Sequence, residues 1–336
     1  MDRFPIGLNT YCLRFQRWND EKLLDYTASL KLDAVFLQDS IDPGTNDPAH
    51  WKAVKEQAAR LGLHLETGTG GSLPRTPDRF DASVKLLSDA IERAVGMGSK
   101  LVRTLIASDR AALPPGPVEQ HIETMIKLFH AVRSRAMDAG VKFALENHKD
   151  LLCWETRQVI EGAGKEFVGS YLDTGNPVFV MEDPMETVET LGPLAVTFHL
   201  RDSIVYEARN GIAVQWVPLG EGVVDFRKII AKAKEILPPV YVYIKPITGR
   251  PPEILPTADQ AFWTKWPDKK ASSFARFLAL AKSGHPYERD MVIEDAPGKT
   301  NKPEFAEALK YQQREHMERS VEYAKKTLDL GVRWRV

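Results

Sequence analysis

Three short segments of the chain each end in a residue type that binds divalent metal ions. Glu146, Asp173 and His199 close the apolar runs FALE, YLD and TFH, at intervals of 27 and 26 residues. One strand–helix unit takes roughly this many residues. Two carboxylates and a neutral imidazole suit Mn²⁺, Mg²⁺, Co²⁺ or Zn²⁺. The spacing therefore predicts three ligand-type side chains at the same end of successive strands.

The elements that must position these residues are short apolar runs alternating with longer amphipathic stretches. The runs span residues 6–11, 34–38, 63–68, 101–106, 141–148, 168–173, 195–200 and 240–245. Eight strand–helix repeats predict an α/β fold, a (β/α)8 TIM barrel, with an open doubly wound sheet as the alternative. Barrel active sites lie at the C-terminal strand ends. Polar residues at other strand ends, Asn9, Glu66, Arg103 and Lys245, are therefore expected to converge with the first three.

The chain continues well beyond the eighth run. We expect a barrel domain over residues 1–302, with a long Pro-rich loop after strand eight. Residues 303–336 are expected to form a C-terminal helical extension, since apolar positions recur there at helical spacing. This helix is predicted to act as a lid or as a subunit contact, within a homo-oligomer or a hetero-oligomer with a partner subunit.

Composition narrows the function classes. The formal net charge is −1 and charged residues make up 27% of the chain, which argues against nucleic-acid binding as the main task. No polybasic segment or 18-residue apolar stretch predicts a membrane partner. The two cysteines, Cys12 and Cys153, are far apart, so a disulfide framework is excluded and a reducing, cytoplasmic location is expected.

Four motifs in order along the chain carry a resemblance to a known family. They are Glu146-Asn147-His148, Asp173-Thr174-Gly175-Asn176, His199-Leu200-Arg201-Asp202, and Gly220-Glu221-Gly222 followed by Asp225. With them the chain resembles the xylose-isomerase-like TIM-barrel superfamily, the sugar phosphate isomerase/epimerase group. The resemblance implies one divalent metal, with Mn²⁺ as the expected ion and Mg²⁺, Co²⁺ or Zn²⁺ as alternatives. It also implies that Glu146, Asp173 and His199 are ligands and that strand eight supplies a fourth, a glutamate.

The chain departs from this pattern at strand eight, where YVYIK carries Lys245 in place of the expected glutamate. A protonated lysine has no lone pair to offer a metal and repels it. Three interpretations stay open. The metal could have three protein ligands, Glu294 could supply the fourth from the tail, or Lys245 could pair with Glu146 or Asp173 in a metal-free site.

The remaining candidates divide into catalytic and substrate-binding groups. A general base could be His148, Glu66 or a carboxylate near the metal, although His148 could equally cap local backbone. Lys245 is a third catalytic candidate, as a charged partner of the carboxylates or as a Schiff-base lysine. Arg201 could hold a substrate hydroxyl, carboxylate or phosphate, or form a rim salt bridge with Asp202 or Glu221. The expected substrate-binding residues are Asn9, Arg103, Asn176, Arg201 and Glu221.

These residues predict chemistry on a keto-sugar or sugar-acid derivative, with a small-molecule sugar as partner. A metal ion would polarise a carbonyl, a base would remove the neighbouring proton, and an enediolate would form. Reprotonation makes an isomerase or epimerase. The alternative is a lyase: a dehydratase, a decarboxylase or an enzyme that cleaves 3-keto-glycosides. An AP-endonuclease-like nuclease and a metal-free sugar-binding barrel are further alternatives.

Overall fold

Eight parallel strands close into a barrel, which confirms the predicted fold class. The computed structural model describes residues 3–38, 47–289 and 291–335. The strands in chain order are β1 (Ile6–Asn9), β2 (Ala34–Gln38), β3 (His64–Gly71), β4 (Leu101–Leu105), β5 (Lys142–Glu146), β6 (Val168–Asp173), β7 (Ala195–Leu200), β8 (Asp202–Ala208), β9 (Gly211–Val217), β10 (Val242–Ile244) and β11 (Glu253–Leu255). Strands β1 to β7 and β10 form the barrel, and β10 closes it between β7 and β1.

Helices surround the barrel, and several begin or end at a residue that caps them. They are α1 (Asp20–Ser29), α2 (Pro48–Leu61), α3 (Phe80–Met97), α4 (Val118–Ala139), α5 (Cys153–Ala163), α6 (Pro184–Leu191), α7 (Phe226–Ile236), α8 (Ala271–Ser283) and α9 (Pro303–Lys326). The Asn19 side chain caps α1 by accepting from the Lys22 backbone N–H. Gly62, Gly98 and Gly140 end α2, α3 and α4 in the left-handed conformation, which glycine adopts without steric cost. No helix among the described residues is both long enough and apolar enough to cross a membrane.

The barrel interior is a small core of its own. Ala34, Phe36, Ala144, Tyr171 and Tyr243 fill it, all of them fully buried. The larger core lies between the outer faces of the strands and the helices. Bulky aromatic side chains thus close the barrel below its C-terminal rim, and they provide the floor on which polar strand-end residues rest.

A hairpin after β7 was not predicted from the sequence. Strands β8 and β9 pair antiparallel, and β11 adds to β9. Together with α8 they enclose a second core that includes Val205, Val214 and Phe277. The signal was present in the sequence, since Asn210-Gly211 separates two runs rich in β-branched residues and such a dipeptide favours a hairpin turn.

The predicted C-terminal helix is present as α9. Its residues Met317, Val321 and Ala324 belong to the main core, and Ser320 Oγ accepts from the Leu219 backbone N–H at 3.1 Å. One face of α9 therefore packs into the core between the barrel strands and the helices. Its role as a lid or a subunit contact stays a prediction.

Gly7 of β1 has no space for a side chain, and this gives a test of the barrel packing. A Cβ at position 7 would lie 2.3 Å from the Ala34 carbonyl oxygen and 2.8 Å from the Tyr243 ring. We expect Gly7→Ala to lower the free energy of unfolding by about 1–3 kcal/mol, as overpacking of a rigid core does. The matched control is Gly70→Ala in β3, where a Cβ meets no atom within 4 Å. Urea unfolding of both variants measures the difference, and equal stabilities would contradict this packing.

Candidate active site

Two buried carboxylates at the ends of β5 and β6 organise the centre of the site. Glu146 Oε1 accepts from Lys245 Nζ at 2.8 Å and from Asn176 Nδ2 at 3.0 Å. Its Oε2 accepts from Arg103 Nε at 2.6 Å and from a second nitrogen of the same guanidinium. Every contact of this carboxylate is therefore with a nitrogen donor.

Asp173 is held in the same way. Its Oδ2 lies 3.2 Å from Lys245 Nζ and 3.1 Å from Arg201 Nη2. Its Oδ1 accepts from the backbone N–H groups of Gly175 and Asn176 at 2.9 and 3.1 Å. Two carboxylates thus face three cationic side chains, and the cluster carries one excess positive charge.

The charged state of this cluster follows from its surroundings. Burial opposes ionisation of Glu146, but Arg103 and Lys245 hold its pKa well below the ordinary value. Burial, followed by the neighbouring Arg201, lowers the pKa of Lys245 below its ordinary value, although Glu146 and Asp173 oppose this shift. The carboxylates therefore act as fixed negative charges that retain the cations in a desolvated position.

A cavity of about 930 Å³ opens at the C-terminal end of the barrel above this cluster. Arg103, Arg201 and Lys245 line it, whereas Glu146 and Asp173 do not. Among the described residues its charged lining consists of the cations Arg75, Arg103, Lys149, Arg201, Lys245 and Arg250 and the acids Asp109 and Glu253. A molecule entering the cavity therefore meets mainly positive charge, which favours an anionic ligand.

The expected metal site does not fit this geometry. Both oxygens of Glu146 and of Asp173 already accept from nitrogen donors, and the Lys245 ammonium lies between the two carboxylates. A divalent ion there would stand beside three positive charges with no free carboxylate lone pair. Within residues 3–38, 47–289 and 291–335, no three His, Cys, Asp or Glu side chains are arranged to hold a metal ion. Of the three interpretations, the structure agrees with the third, since Lys245 pairs with both Glu146 and Asp173.

His199 lies inside the barrel rather than at the cavity. Its ring stacks between Tyr171 and Tyr243, with centroids 3.7 and 4.8 Å away. Its Nδ1 lies 2.8 Å from the Tyr171 hydroxyl and its Nε2 lies 3.2 Å from Thr197 Oγ1. Burial and the nearby Lys245 hold the pKa of His199 well below its ordinary value, so the ring is neutral and both nitrogens are engaged in the core.

Glu66 is not at the end of its strand, contrary to expectation. Strand β3 continues to Gly71, so Glu66 lies near its start. It borders a separate cavity of about 810 Å³ whose lining includes Lys142, Val168 and Ala195, residues at the N-terminal ends of their strands. A general base at the opposite end of the barrel has no access to the upper cavity, so the expectation for Glu66 is wrong.

Three expected substrate-binding residues are engaged in the protein's own contacts. The Asn9 side chain donates to the Tyr171 hydroxyl and accepts from the Tyr11 backbone N–H. Asn176 bridges Glu146 and Arg201, since its Oδ1 accepts from Arg201 Nη1 at 2.8 Å. Neither asparagine lines the upper cavity. They position charged neighbours instead.

Glu221, the third of these residues, joins the hairpin region to the C-terminal part of the chain. Its carboxylate pairs with Arg319 at 2.7 Å and Arg289 at 3.0 Å, and it accepts from the Tyr287 hydroxyl. The expected rim salt bridge between Arg201 and Glu221 or Asp202 is therefore wrong, because Arg201 pairs with Asp173. Asp202 instead accepts from backbone N–H groups of the Gly220–Val224 loop.

Glu294 lies away from the carboxylate pair. It lines a small cavity together with Gln312 and His316 of α9, and its carbonyl accepts from Asn301. The proposal that it completes a metal site with Glu146 and Asp173 has no support from this placement.

His148 does line the upper cavity. Its Nδ1 lies 2.7 Å from the Ser108 carbonyl oxygen, so Nδ1 carries the proton and Nε2 is an acceptor. Burial and the cations Arg103 and Arg201 lower the pKa of His148 to about 3, against the opposing effect of Glu146. At neutral pH it is an uncharged hydrogen-bond acceptor and a weak base.

The unpredicted hairpin supplies one wall of the cavity. Trp216 of β9 packs against Phe179 with ring centroids 4.6 Å apart, and the Arg201 guanidinium lies 4.6 Å from the Trp216 ring. Lys149 lies above both rings and pairs with Glu253 of β11 at 3.0 Å. The charged floor of the cavity could be predicted from the sequence, whereas this aromatic wall was not.

Removing Lys245 tests the balance of charge in the cluster. We expect Lys245→Met to lower the free energy of unfolding at pH 7 by about 3 kcal/mol, at the lower end for a broken buried ion pair because Arg103 and Arg201 remain. Glu146 has a depressed pKa, so its stabilising contribution is fully present above the unfolded-state pKa of about 4.3. It is lost progressively as the pH falls from there through the lower native-state pKa. The deficit of the variant should therefore shrink in acid.

Urea unfolding at pH 7 and near pH 4 measures both effects. Lys228→Met, at an exposed lysine, is the matched control and should unfold like the wild type. A deficit that does not change with pH would contradict the assigned charges.

Comparison with known proteins agrees with this architecture. A family model described as a xylose isomerase-like TIM barrel matches residues 24–242. A 3-oxo-isoapionate decarboxylase from Pectobacterium atrosepticum is 22% identical over 231 residues, covering 66% of this chain and 78% of that protein. The fold resembles a D-psicose 3-epimerase, with a TM-score of 0.63, 13% identity and coverage of 96% and 98% of the two chains. It also resembles a xylose isomerase-like protein from Mycobacterium smegmatis solved with magnesium, with a TM-score of 0.57, 18% identity and coverage of 72% and 90%.

Proposed function

Because the chain belongs to the xylose isomerase-like TIM barrel family, we propose that it is a lyase of that family which decarboxylates a 3-oxo sugar acid through an enediolate. This is the lyase alternative of the sequence analysis. The likeness to a 3-oxo-isoapionate decarboxylase supports the choice of substrate class.

One observation carries the proposal. The cations of the central cluster are exposed to the cavity, whereas its carboxylates are not. Arg103, Arg201 and Lys245 line the cavity, whereas Glu146 and Asp173 lie behind them. A 3-oxo sugar acid has a carboxylate and a neighbouring ketone. Cations stabilise the negative charge on the carboxylate and the partial negative charge on the ketone oxygen. Decarboxylation transfers negative charge from the carboxylate to the ketone oxygen, so preorganised cations stabilise the transition state.

The choice between lyase and isomerase depends on the base. Isomerisation and epimerisation need a group that removes a proton from carbon. Glu146 is a poor candidate because its pKa is well below the ordinary value and its oxygens are occupied. Glu66 is at the other end of the barrel. Decarboxylation needs no base, because loss of CO₂ itself leaves the electron pair.

The atoms and electrons of the decarboxylation balance with water as the only other reactant. The bond between the carboxylate carbon and the α-carbon breaks, CO₂ leaves, and the electron pair forms the enediolate beside Lys245 and the two arginines. A proton from water adds to the α-carbon and restores the ketone. His148, an acceptor on the cavity wall, is placed to orient a substrate hydroxyl.

A sugar 3-epimerase is the second candidate, and one observation favours it. The His148 Nε2 is an acceptor in the same cavity and would serve as the base. With a pKa of about 3 it would be inefficient at neutral pH, which ranks this function below decarboxylation.

A panel of 3-oxo aldonic acids, assayed for CO₂ release in D₂O, separates the two functions. A decarboxylase releases CO₂ and places one deuterium on the carbon that lost it. We expect Lys245→Met to lower kcat by about 10²–10³-fold, as loss of one oxyanion donor does. Lys228→Met should match the wild type. Deuterium exchange or epimerisation without CO₂ release would contradict the lyase assignment.

Metal removal gives an independent prediction, since in the proposed mechanism Lys245 and two arginines stabilise the reacting oxygen. We expect activity to persist after dialysis against EDTA, and a Mn²⁺ titration followed by electron paramagnetic resonance to show no stoichiometric site. The physical reason is the occupied carboxylate oxygens. Tight binding of one Mn²⁺ per chain, with loss of activity on its removal, would show that this interpretation of the cluster is wrong.

A further inference from the structure

We propose that a buried spine of hydrogen bonds, formed by Glu66, Thr197, His199, Tyr171 and Asn9, positions the ring that supports Lys245. His199, at the position where the family resemblance implies a metal ligand, is thereby a positioning residue. The inference rests on the proposed function only where its effect is measured as turnover.

The donors and acceptors of the spine allow a single arrangement. Glu66 can only accept as a carboxylate, so the Thr197 hydroxyl donates to it at 2.7 Å. Thr197 Oγ1 then accepts from His199 Nε2 at 3.2 Å. His199 Nδ1 is left as an acceptor for the Tyr171 hydroxyl at 2.8 Å, and the Tyr171 oxygen accepts from Asn9 Nδ2 at 3.2 Å.

This chain of bonds fixes the His199 ring as the Nε2–H tautomer. The fixed tautomer in turn holds the Tyr171 hydroxyl, and stacking at 3.7 Å holds the face of the Tyr171 ring. Phe36 and Tyr243 pack against His199 with centroids 5.1 and 4.8 Å away. All four rings are fully buried, so a change in the tautomer cannot be absorbed by solvent.

The spine reaches the reacting region through the Tyr171 ring. Lys245 Nζ lies 4.6 Å from its centroid and the Arg103 guanidinium lies 5.8 Å away, within the range of cation–π attraction. A rotation of this ring would shift both cations relative to Glu146. The spine therefore acts on the reaction through Tyr171, although Thr197 and His199 do not line the upper cavity.

A matched pair of variants at Thr197 tests the inference. Thr197→Val keeps the shape and removes the hydroxyl, whereas Thr197→Ser keeps the hydroxyl. The first measurement needs no substrate: ¹⁵N-histidine NMR of the full chain, which has eight histidines, with His199→Gln to assign the signal. The wild type and Thr197→Ser should show His199 protonated at Nε2 and unprotonated at Nδ1, and Thr197→Val should show a mixture of tautomers.

Turnover is the second measurement. We expect Thr197→Val to lower kcat by about 10–100-fold, as small displacements of reacting groups do, with KM nearly unchanged and with recovery in Thr197→Ser. Tyr171→Phe, which keeps the ring and loses the hydroxyl, should behave like Thr197→Val and serves if that variant fails to fold. Wild-type-like kcat in the folded valine and phenylalanine variants, or an Nδ1–H tautomer in the wild type, would overturn the inference. A wild type that releases no CO₂ overturns the proposed function alone, since the tautomer is measured without substrate.

Discussion

The ion pairs from Lys245 to Glu146 and Asp173 are the interaction on which the site depends. Three cations buried near one another repel, and each loses hydration on leaving water. They stay in place because two carboxylates approach them from below, at the ends of neighbouring strands, with Asn176 and two backbone N–H groups completing the contacts. Removing any member would leave a desolvated charge without its partner, so the cluster holds together as a unit.

The aromatic interior of the barrel makes this arrangement rigid. Tyr171, Tyr243 and Phe36 fill the space below the cluster, and no alternative floor is available to a displaced side chain in so densely packed a region. Five polar side chains in this layer are joined by hydrogen bonds, from Glu66 to Asn9. The same side chains therefore satisfy one another's polar groups and orient the charged rim.

The fold could be predicted from the sequence because each barrel strand is a short apolar run bounded by polar residues. All eight runs became barrel strands, and the runs at 34–38, 168–173 and 195–200 match their strands residue for residue. Errors arose where the strand end was misplaced. Strand β3 extends to Gly71, three residues beyond its expected end. Glu66 therefore lies in the lower half of the barrel and not at the expected C-terminal rim. The β8–β9 hairpin was not predicted because it interrupts the strand–helix alternation, although an Asn-Gly turn indicates it.

The site was harder to predict than the fold, since the residue types at strand ends do not determine which side chain each residue will pair with. Glu146 and Asp173 were identified as central, and so was Lys245, but the sequence left three interpretations open. The answer depends on Arg103, which arrives from β4, and on Arg201, which follows β7 directly. Arg103 was assigned to substrate, and Arg201 to substrate or to a rim salt bridge, whereas each neutralises one of the two central carboxylates. Two arginines and a lysine surround two acids, so the acids support the cations instead of acting as metal ligands or bases. This change of role is visible only when the charges from five strands are considered together.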